Sequence, residues 1–227
     1  YFLLYMRRPK EALRCEEMRW YLAIIVSAAL LIFVNAYDAA LTIEHNLRQS
    51  FFQVASIITT TGFATADFNL WHGFSRGILV LLMFIGASPG STGGGIKTTT
   101  FFVLMQQVRS IFSKRRLGAF HRRLPDAALP KAATITLMGI IVVLGGTFGL
   151  CILEPETDFV RLLFEQISAY STSGLSTGIT AGLCAGSRVL LILTMFIGRV
   201  GAVTLLSLWV ERPEPTARYT EEAITIG

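Results

Sequence analysis

The sequence predicts an all-α membrane protein of two tandem repeats, each a span, a pore helix, a glycine-centred filter loop and a second span. Three observations carry that expectation. First, the 227 residues are 52% hydrophobic and 15% charged, with mean hydropathy +0.57. An ordinary soluble domain carries about 25% charged residues, and disorder needs low hydrophobicity with high charge. Second, several apolar runs reach the roughly 20 residues that a helix needs to cross a bilayer core. Third, two long strings of the chain recur in register. The cysteines Cys15, Cys151 and Cys184 are odd in number and lack a C-x-x-C spacing, so they read as apolar filler and not as a disulfide framework.

In chain order, residues 1–19 read as the cytoplasmic end of a preceding span plus a linker. There the apolar Tyr1, Phe2, Leu3 and Leu4 come before Arg7 and Arg8, the reverse of a signal peptide. Residues 20–108 form one repeat: a full span at 20–41 with Asp38 near its far end, a short apolar segment at 50–60, and a long crossing at 74–108 interrupted by glycines. Residues 109–131 are a basic linker. Residues 132–210 form the next repeat, with an uncharged span at 132–153, a short segment at 161–172 and a span at 187–210 whose single charge is Arg199. Residues 211–227 are a polar tail. Trp71 and Trp209 fall near span ends, as interfacial aromatics do.

Lysine and arginine placement sets the orientation. Arg7, Arg8, Lys10, Arg14 and Arg19 precede the first span, and Arg109, Lys114, Arg115, Arg116, Arg122, Arg123 and Lys131 lie in the linker. The connections at 44–48 and 154–161 are short and mixed in sign. The positive-inside rule puts the basic segments and the C-terminus in the cytoplasm, which makes this a multi-pass protein of the cell membrane. The net charge of +5 and the pI near 9.4 come mostly from these loops. Beside membrane spans they are topology signals, so no nucleic-acid partner is expected.

The repeat locates the candidate filter. Ser56-Ile-Ile-Thr-Thr-Thr-Gly-Phe-Ala-Thr65 aligns with Ser168-Ala-Tyr-Ser-Thr-Ser-Gly-Leu-Ser-Thr177. The strings beginning at Ser75 and Ser187 then align at the same offset, each ending Met-Phe-Ile-Gly. The short segments behave like half-helices that enter and turn back. Non-helical backbone at that depth survives only inside protein or against a water-filled cavity. Thr60, Thr61, Gly62 and Phe63, with Thr172, Ser173, Gly174 and Leu175, would present carbonyls to such a cavity, and rings of carbonyls can replace a cation's hydration shell. Glycine at 62 and 174 suits a positive φ. The hydroxyls of Thr60, Thr61, Thr172 and Ser173 would add oxygen ligands for a potassium ion or brace the loop.

The glycine-rich block from Gly86 to Lys97 is expected to be a flexible loop under the filter, where the other repeat continues as uninterrupted helix. Pro89 and the glycines cannot hold a regular helix. Gly86-Ala-Ser-Pro-Gly90 matches the hydrolase nucleophile elbow, which needs a strand before it; a membrane helix leads in, and His45, His72 and His121 fall in predicted loops. A phosphate loop needs glycine directly before lysine, and Ile96 intervenes. Arg199, about twelve residues from either end of its span, is roughly 18 Å from water, too far to snorkel. A charge at that depth is costly and functional by default. With no acid at its depth, its partners are expected among the carbonyls of residues 87–90, a negative dipole end. Lys97 would reach the cytoplasmic vestibule. Gly145-x-x-x-Gly149 reads as a close-approach face between helices.

The span, pore-helix, glycine and span unit, the string Gly-Ser-Thr-Gly-Gly-Gly-Ile-Lys at 90–97 and the mid-span Arg199 resemble the Trk/Ktr/HKT superfamily of potassium transporters, closest to its bacterial KtrB branch. The resemblance covers nearly the whole chain and implies the C-terminal half of a four-unit pore, repeats three and four, with the rest of the pore-forming chain as a partner. It implies potassium uptake, no enzymatic activity and no covalent cofactor. It assigns the gate to Gly90, Gly93, Gly94, Gly95, Lys97 and Arg199. It further implies a homodimer in membrane lipid, a cytoplasmic nucleotide-binding regulatory ring of the KtrA/TrkA kind, and sodium as an optional stimulating ion. The alternatives are a two-repeat, tetrameric-type cation channel or a sodium-permeable relative; a membrane enzyme lacks an acid–base cluster at depth.

Overall fold

The structure is a computed structural model that describes residues 16–113, 118–119, 122–123, 127–201 and 204. It is mostly helical. In chain order it comprises α1 (Glu16–Asn35), α2 (Ile43–Ile58), α3 (Gly73–Ile85), α4 (Thr98–Ser113), a hairpin of β1 (Gly118–Ala119) and β2 (Arg122–Arg123), then α5 (Ala128–Leu153), α6 (Phe159–Ser171) and α7 (Ala185–Val200). Single 3-10 turns at Phe68–Leu70 and Thr180–Gly182 occupy matching places after the two candidate filter loops. The segment 1–15, the tail 211–227, Trp209, His121 and the basic cluster Lys114, Arg115 and Arg116 lie outside the described residues.

Among the described residues, two stretches are helical, long and apolar enough to cross a membrane: Met18–Asn35 and Ala128–Leu153. The first span therefore stops short of residue 41. Its end is fixed by polar groups, since Asn35 Oδ1 accepts from Ser75 Oγ at 2.8 Å and Asp38 Oδ1 accepts from Ala40 N–H at 2.9 Å. Asn46, buried in α2, clamps the same turn, accepting from Asp38 N–H at 3.1 Å and donating to the Asp38 carbonyl at 2.9 Å.

The first half-helix is longer than its apolar run. Thr42 caps α2 by accepting from His45 N–H, so His45 and residues 44–48 are the first turns of a helix and not an outer connection. Asp158 caps α6 in the same way through Val160 N–H. Each half-helix packs beside the span preceding it, and α3 of the first repeat packs against α6 of the second. Phe68 stacks on Phe164 at 5.2 Å and Phe84 on Tyr170 at 6.2 Å, so aromatic pairs join the repeats. One core of Ile32, Val54, Ile57, Leu79, Phe164 and Leu175 spans both. The close-approach glycines of α5 are Gly139, Gly146 and Gly149, where a Cβ would come 2.8 Å from Tyr170 Oη, overlap the Gln166 amide and approach Leu190 at 2.9 Å; Gly145 faces open space. Of the expected Gly145–Gly149 pair only Gly149 makes a close approach, and Gly139 and Gly146 join it.

The second crossing of the second repeat also breaks. Helix α7 ends at Val200, Gly201 takes φ +91°, and Thr204 is helical again. The expected uninterrupted helix is overturned at this point. Gly198, three residues earlier, lies so close to the Tyr170 carbonyl that a Cβ would overlap it.

Candidate functional site

The two candidate filter loops have the same local build. Helix α2 ends as Thr60 turns left-handed (φ +54°), and α6 ends as Thr172 does (φ +52°); Gly62 (φ +78°) and Gly174 (φ +82°) follow. Thr61 N–H donates to the Ser56 carbonyl at 2.8 Å, and Ser173 N–H to the Ser168 carbonyl at 3.1 Å. Ser56 Oγ donates to the Phe63 carbonyl, and Ser168 Oγ to the Leu175 carbonyl, each at 2.6 Å. The left-handed region costs a non-glycine residue roughly 1–2 kcal/mol, and such strain clusters at functional sites. Thr60 and Thr172 bear it at matching positions.

The loops also meet. A Cβ on Gly62 would overlap the Ser173 carbonyl, so the two backbones come together there without side chains between them. The hydroxyls predicted as ligands or braces have protein partners in three cases. Thr61 Oγ1 lies 2.7 Å from Thr59 Oγ1, Ser173 Oγ lies 3.2 Å from Ser168 Oγ, and Thr172 Oγ1 accepts from Gly94 N–H at 2.9 Å. Phe63 is 69% exposed whereas Leu175 is 4% exposed, because only Leu175 sits in the shared core.

The glycine-rich block is a folded hook. Its neck is tied by Ile96 N–H to the Phe84 carbonyl and Thr98 N–H to the Ala87 carbonyl, both at 3.3 Å, and Ile96 is buried. The chain turns at Gly86, Gly90 and Gly95, all with positive φ. Its tip lies against both candidate filter loops. A Cβ on Gly93 would come 2.6 Å from Thr60 Oγ1, and one on Gly94 would come 2.9 Å from Thr172 Oγ1. Lys97 Nζ donates to the Gly93 carbonyl within the hook. Arg199 reaches the hook from the other repeat and donates to the Thr92 carbonyl. The partner is thus a tip carbonyl and not one of residues 87–90, and Arg199 lies in the last turn of α7, not mid-helix.

Glu165 is the residue that the sequence reading passed over. It is 5% exposed in α6. Oε1 accepts from Ser176 Oγ at 2.8 Å, Thr177 N–H at 2.7 Å and Thr177 Oγ1 at 2.9 Å, and Oε2 accepts from Thr180 Oγ1 at 2.9 Å. The outgoing strand of the second filter loop therefore hangs on one carboxylate. The available signal was an acid on the apolar face of a half-helix, followed by Ser-Thr-Gly-Ile-Thr at 176–180. Its register counterpart Gln53 is fully buried, and its amide has no protein partner. Among the described residues no cluster of three or more His, Cys, Asp or Glu forms a metal centre.

Comparison with known proteins gives the class first: a family model described as "TrkH: Cation transport protein" matches residues 18–217. The chain belongs to the TrkH family. It is 40% identical over 169 residues to the Ktr system potassium uptake protein D of Bacillus subtilis, covering 73% of this chain and 37% of that protein. It is 32% identical over 206 residues to the Ktr system potassium uptake protein B of the same organism, covering 88% and 46%. The potassium/sodium uptake protein NtpJ of Enterococcus hirae is 30% identical over 237 residues, covering 99% and 52%. The chain thus spans about half or less of the curated relatives it matches. The potassium transporter TrkH from Vibrio parahaemolyticus, a crystal structure, superposes with TM-score 0.75 at 24% identity, covering 89% of this chain and 46% of that one; the likeness is one of fold.

Proposed function

We propose that the chain forms half of a potassium-uptake pore in the cell membrane, with the loops at 60–63 and 172–175 as two quarters of its selectivity filter. One observation carries the reading. The two loops share their strained backbone, their serine braces and their glycines, and they meet backbone to backbone. Left-handed turns aim successive carbonyls to one side, and a dehydrated potassium ion needs such oxygens to replace its water. The bracing of Thr61, Thr172 and Ser173 supports carbonyls as the ligands and hydroxyls as the frame. The hook and Arg199 form the gate below. A positive guanidinium and an occluding backbone both oppose cation passage, so the closed state is held electrostatically and sterically. The relatives' names favour a translocating subunit that works with further components of a Ktr- or Trk-type system, including a cytoplasmic regulator. Neither filter loop carries an acid–base or nucleophilic set, which argues for transport over catalysis.

The test is Gly62→Ser in the full-length protein, read by growth on limiting potassium and by competition of sodium with potassium in uptake. The new side chain meets the Ser173 carbonyl and must displace it. Loss of about 1.4 kcal/mol of discrimination would be a tenfold change in cation preference. An unchanged preference would remove these loops from the filter. The same assay separates a potassium-selective pore from the sodium-permeable alternative, which NtpJ's name supports.

A further inference from the structure

We propose that an anionic phospholipid seats its phosphate between α3 and α6, held by Arg76 and Arg161. A cavity of about 240 Å³ opens between these helices, lined by Arg76, Val80, Val160, Arg161, Leu163 and Phe164, among others. At about 30 Å³ per liquid water molecule, the space admits a group of several heavy atoms. The lining holds two guanidiniums and no acid. Asp158, the acid nearest in sequence, spends its Oδ2 on Val160 N–H at 3.1 Å.

The repeat supplies its own control. Arg76 and Arg188 occupy the same register position. Arg188 Nη2 donates to the Ala181 carbonyl of its own loop at 2.7 Å. Arg76 makes no such bond: its Nε is buried without a hydrogen-bond partner. Arg76 is half-buried and lines the cavity, so a phosphate oxygen bound at its guanidinium would offset the cost of a cation without a protein partner at Nε. Guanidinium matches phosphate in geometry as well as charge. The apolar side of the cavity suits the acyl end of a lipid, and a free phosphate has no use for it. This inference rests on the membrane reading above, which puts the cavity at the filter's outer end, within reach of headgroups.

The experiment uses purified full-length protein in detergent, with thermal unfolding followed during titration of short-chain phosphatidylglycerol, phosphatidylcholine or inorganic phosphate. Phosphatidylglycerol is expected to raise Tm saturably and phosphatidylcholine to leave it flat. Arg76→Gln with Arg161→Gln should weaken the phosphatidylglycerol effect about tenfold or more, as loss of a charge-assisted hydrogen bond does, while Arg188→Gln leaves it intact. Should the double variant fail to fold, Arg161→Gln alone is read, since that side chain is exposed. Equal response to both lipids, an unaltered response in the variants, or saturation by inorganic phosphate alone overturns the proposal. Potassium flux of the parent protein is measured in parallel: no flux with lipid binding intact counts against the transport reading only.

Discussion

At position 62 a side chain has no room, and at positions 60 and 172 threonine occupies backbone space that threonine avoids. The loops keep these conformations because neighbours over-determine them: Ser56 and Ser168 hold the carbonyls beyond the glycines. Glu165 adds a stronger restraint in the second loop. Each hydrogen bond to a charged group is worth about 1.5–3 kcal/mol, and this carboxylate accepts four. Glu165→Ala should therefore lower thermal stability and cut potassium-over-sodium preference about tenfold or more. Glu165→Gln, which keeps the oxygen that accepts three of the four bonds, should retain most of both. Competitive uptake and thermal unfolding on the same preparations check this. Equal selectivity in the alanine variant and the parent would make Glu165 a fold residue with no bearing on the filter.

At the scale of elements, what recurs is the latch as well as the helix. Ser75 ties α3 to the end of α1 through Asn35, and Ser187 ties α7 to the end of α5 through Glu154 Oε1 at 2.9 Å. Glu154 also accepts Cys184 N–H at 2.6 Å. That backbone bond first, then the Ser187 hydroxyl, holds its carboxyl below the ordinary value of 4.5. A depressed carboxylate contributes stability that is full above the unfolded value and lost as pH falls through the folded one. Thermal stability of the parent should thus fall more steeply below about pH 4.5 than that of Glu154→Gln, measured by unfolding midpoints across acid pH; parallel curves would remove the latch. Glycine placement, hydropathy and the repeat made the two long apolar helices α1 and α5 and the matching positive-φ turns at Gly62 and Gly174 legible in the sequence. What escaped depended on partners distant in sequence. Thr42 extends α2 through capping that an apolar count does not register, and Gly201 breaks α7 inside a run whose hydropathy continues unchanged. Glu165 owes its role to residues eleven to fifteen positions onward, a separation that helical periodicity does not report. Arg199 was legible as a charge in an apolar run, but its position in the last turn and its Thr92 partner were not.

Across the whole molecule, the hook belongs to one repeat and Arg199 to the other, and two hydrogen bonds tie the hook to the second repeat: Arg199 to the Thr92 carbonyl and Gly94 N–H to Thr172 Oγ1. Helices α3 and α7 end at matching places, at Gly86 and Gly201, each with positive φ. The asymmetry is that the first break holds a folded hook, and the second presents a cation to it. We expect the closed gate to require both parts. Removing the Arg199 bond takes away about 1.5–3 kcal/mol, which shifts an open–closed equilibrium by roughly ten- to a hundredfold. On the gate reading proposed above it also removes positive charge from the cation path, so both effects of Arg199→Ala should favour conduction. Deleting Gly93, Gly94 and Gly95 removes the tip that touches Thr60 and Thr172 and should act in the same direction. Since both changes loosen the same hook, at Thr92 and at its adjoining tip, their combination should exceed the stronger single variant by little, as coupled sites do. Potassium flux in liposomes, with the cytoplasmic regulator present and absent, checks this. The expected result is faster uptake, a blunted regulator response, and preserved cation preference in Arg199→Ala. Fully multiplicative effects would mean two independent barriers, and folded variants with unchanged or slower flux would leave Arg199 as a brace for the break at Gly201.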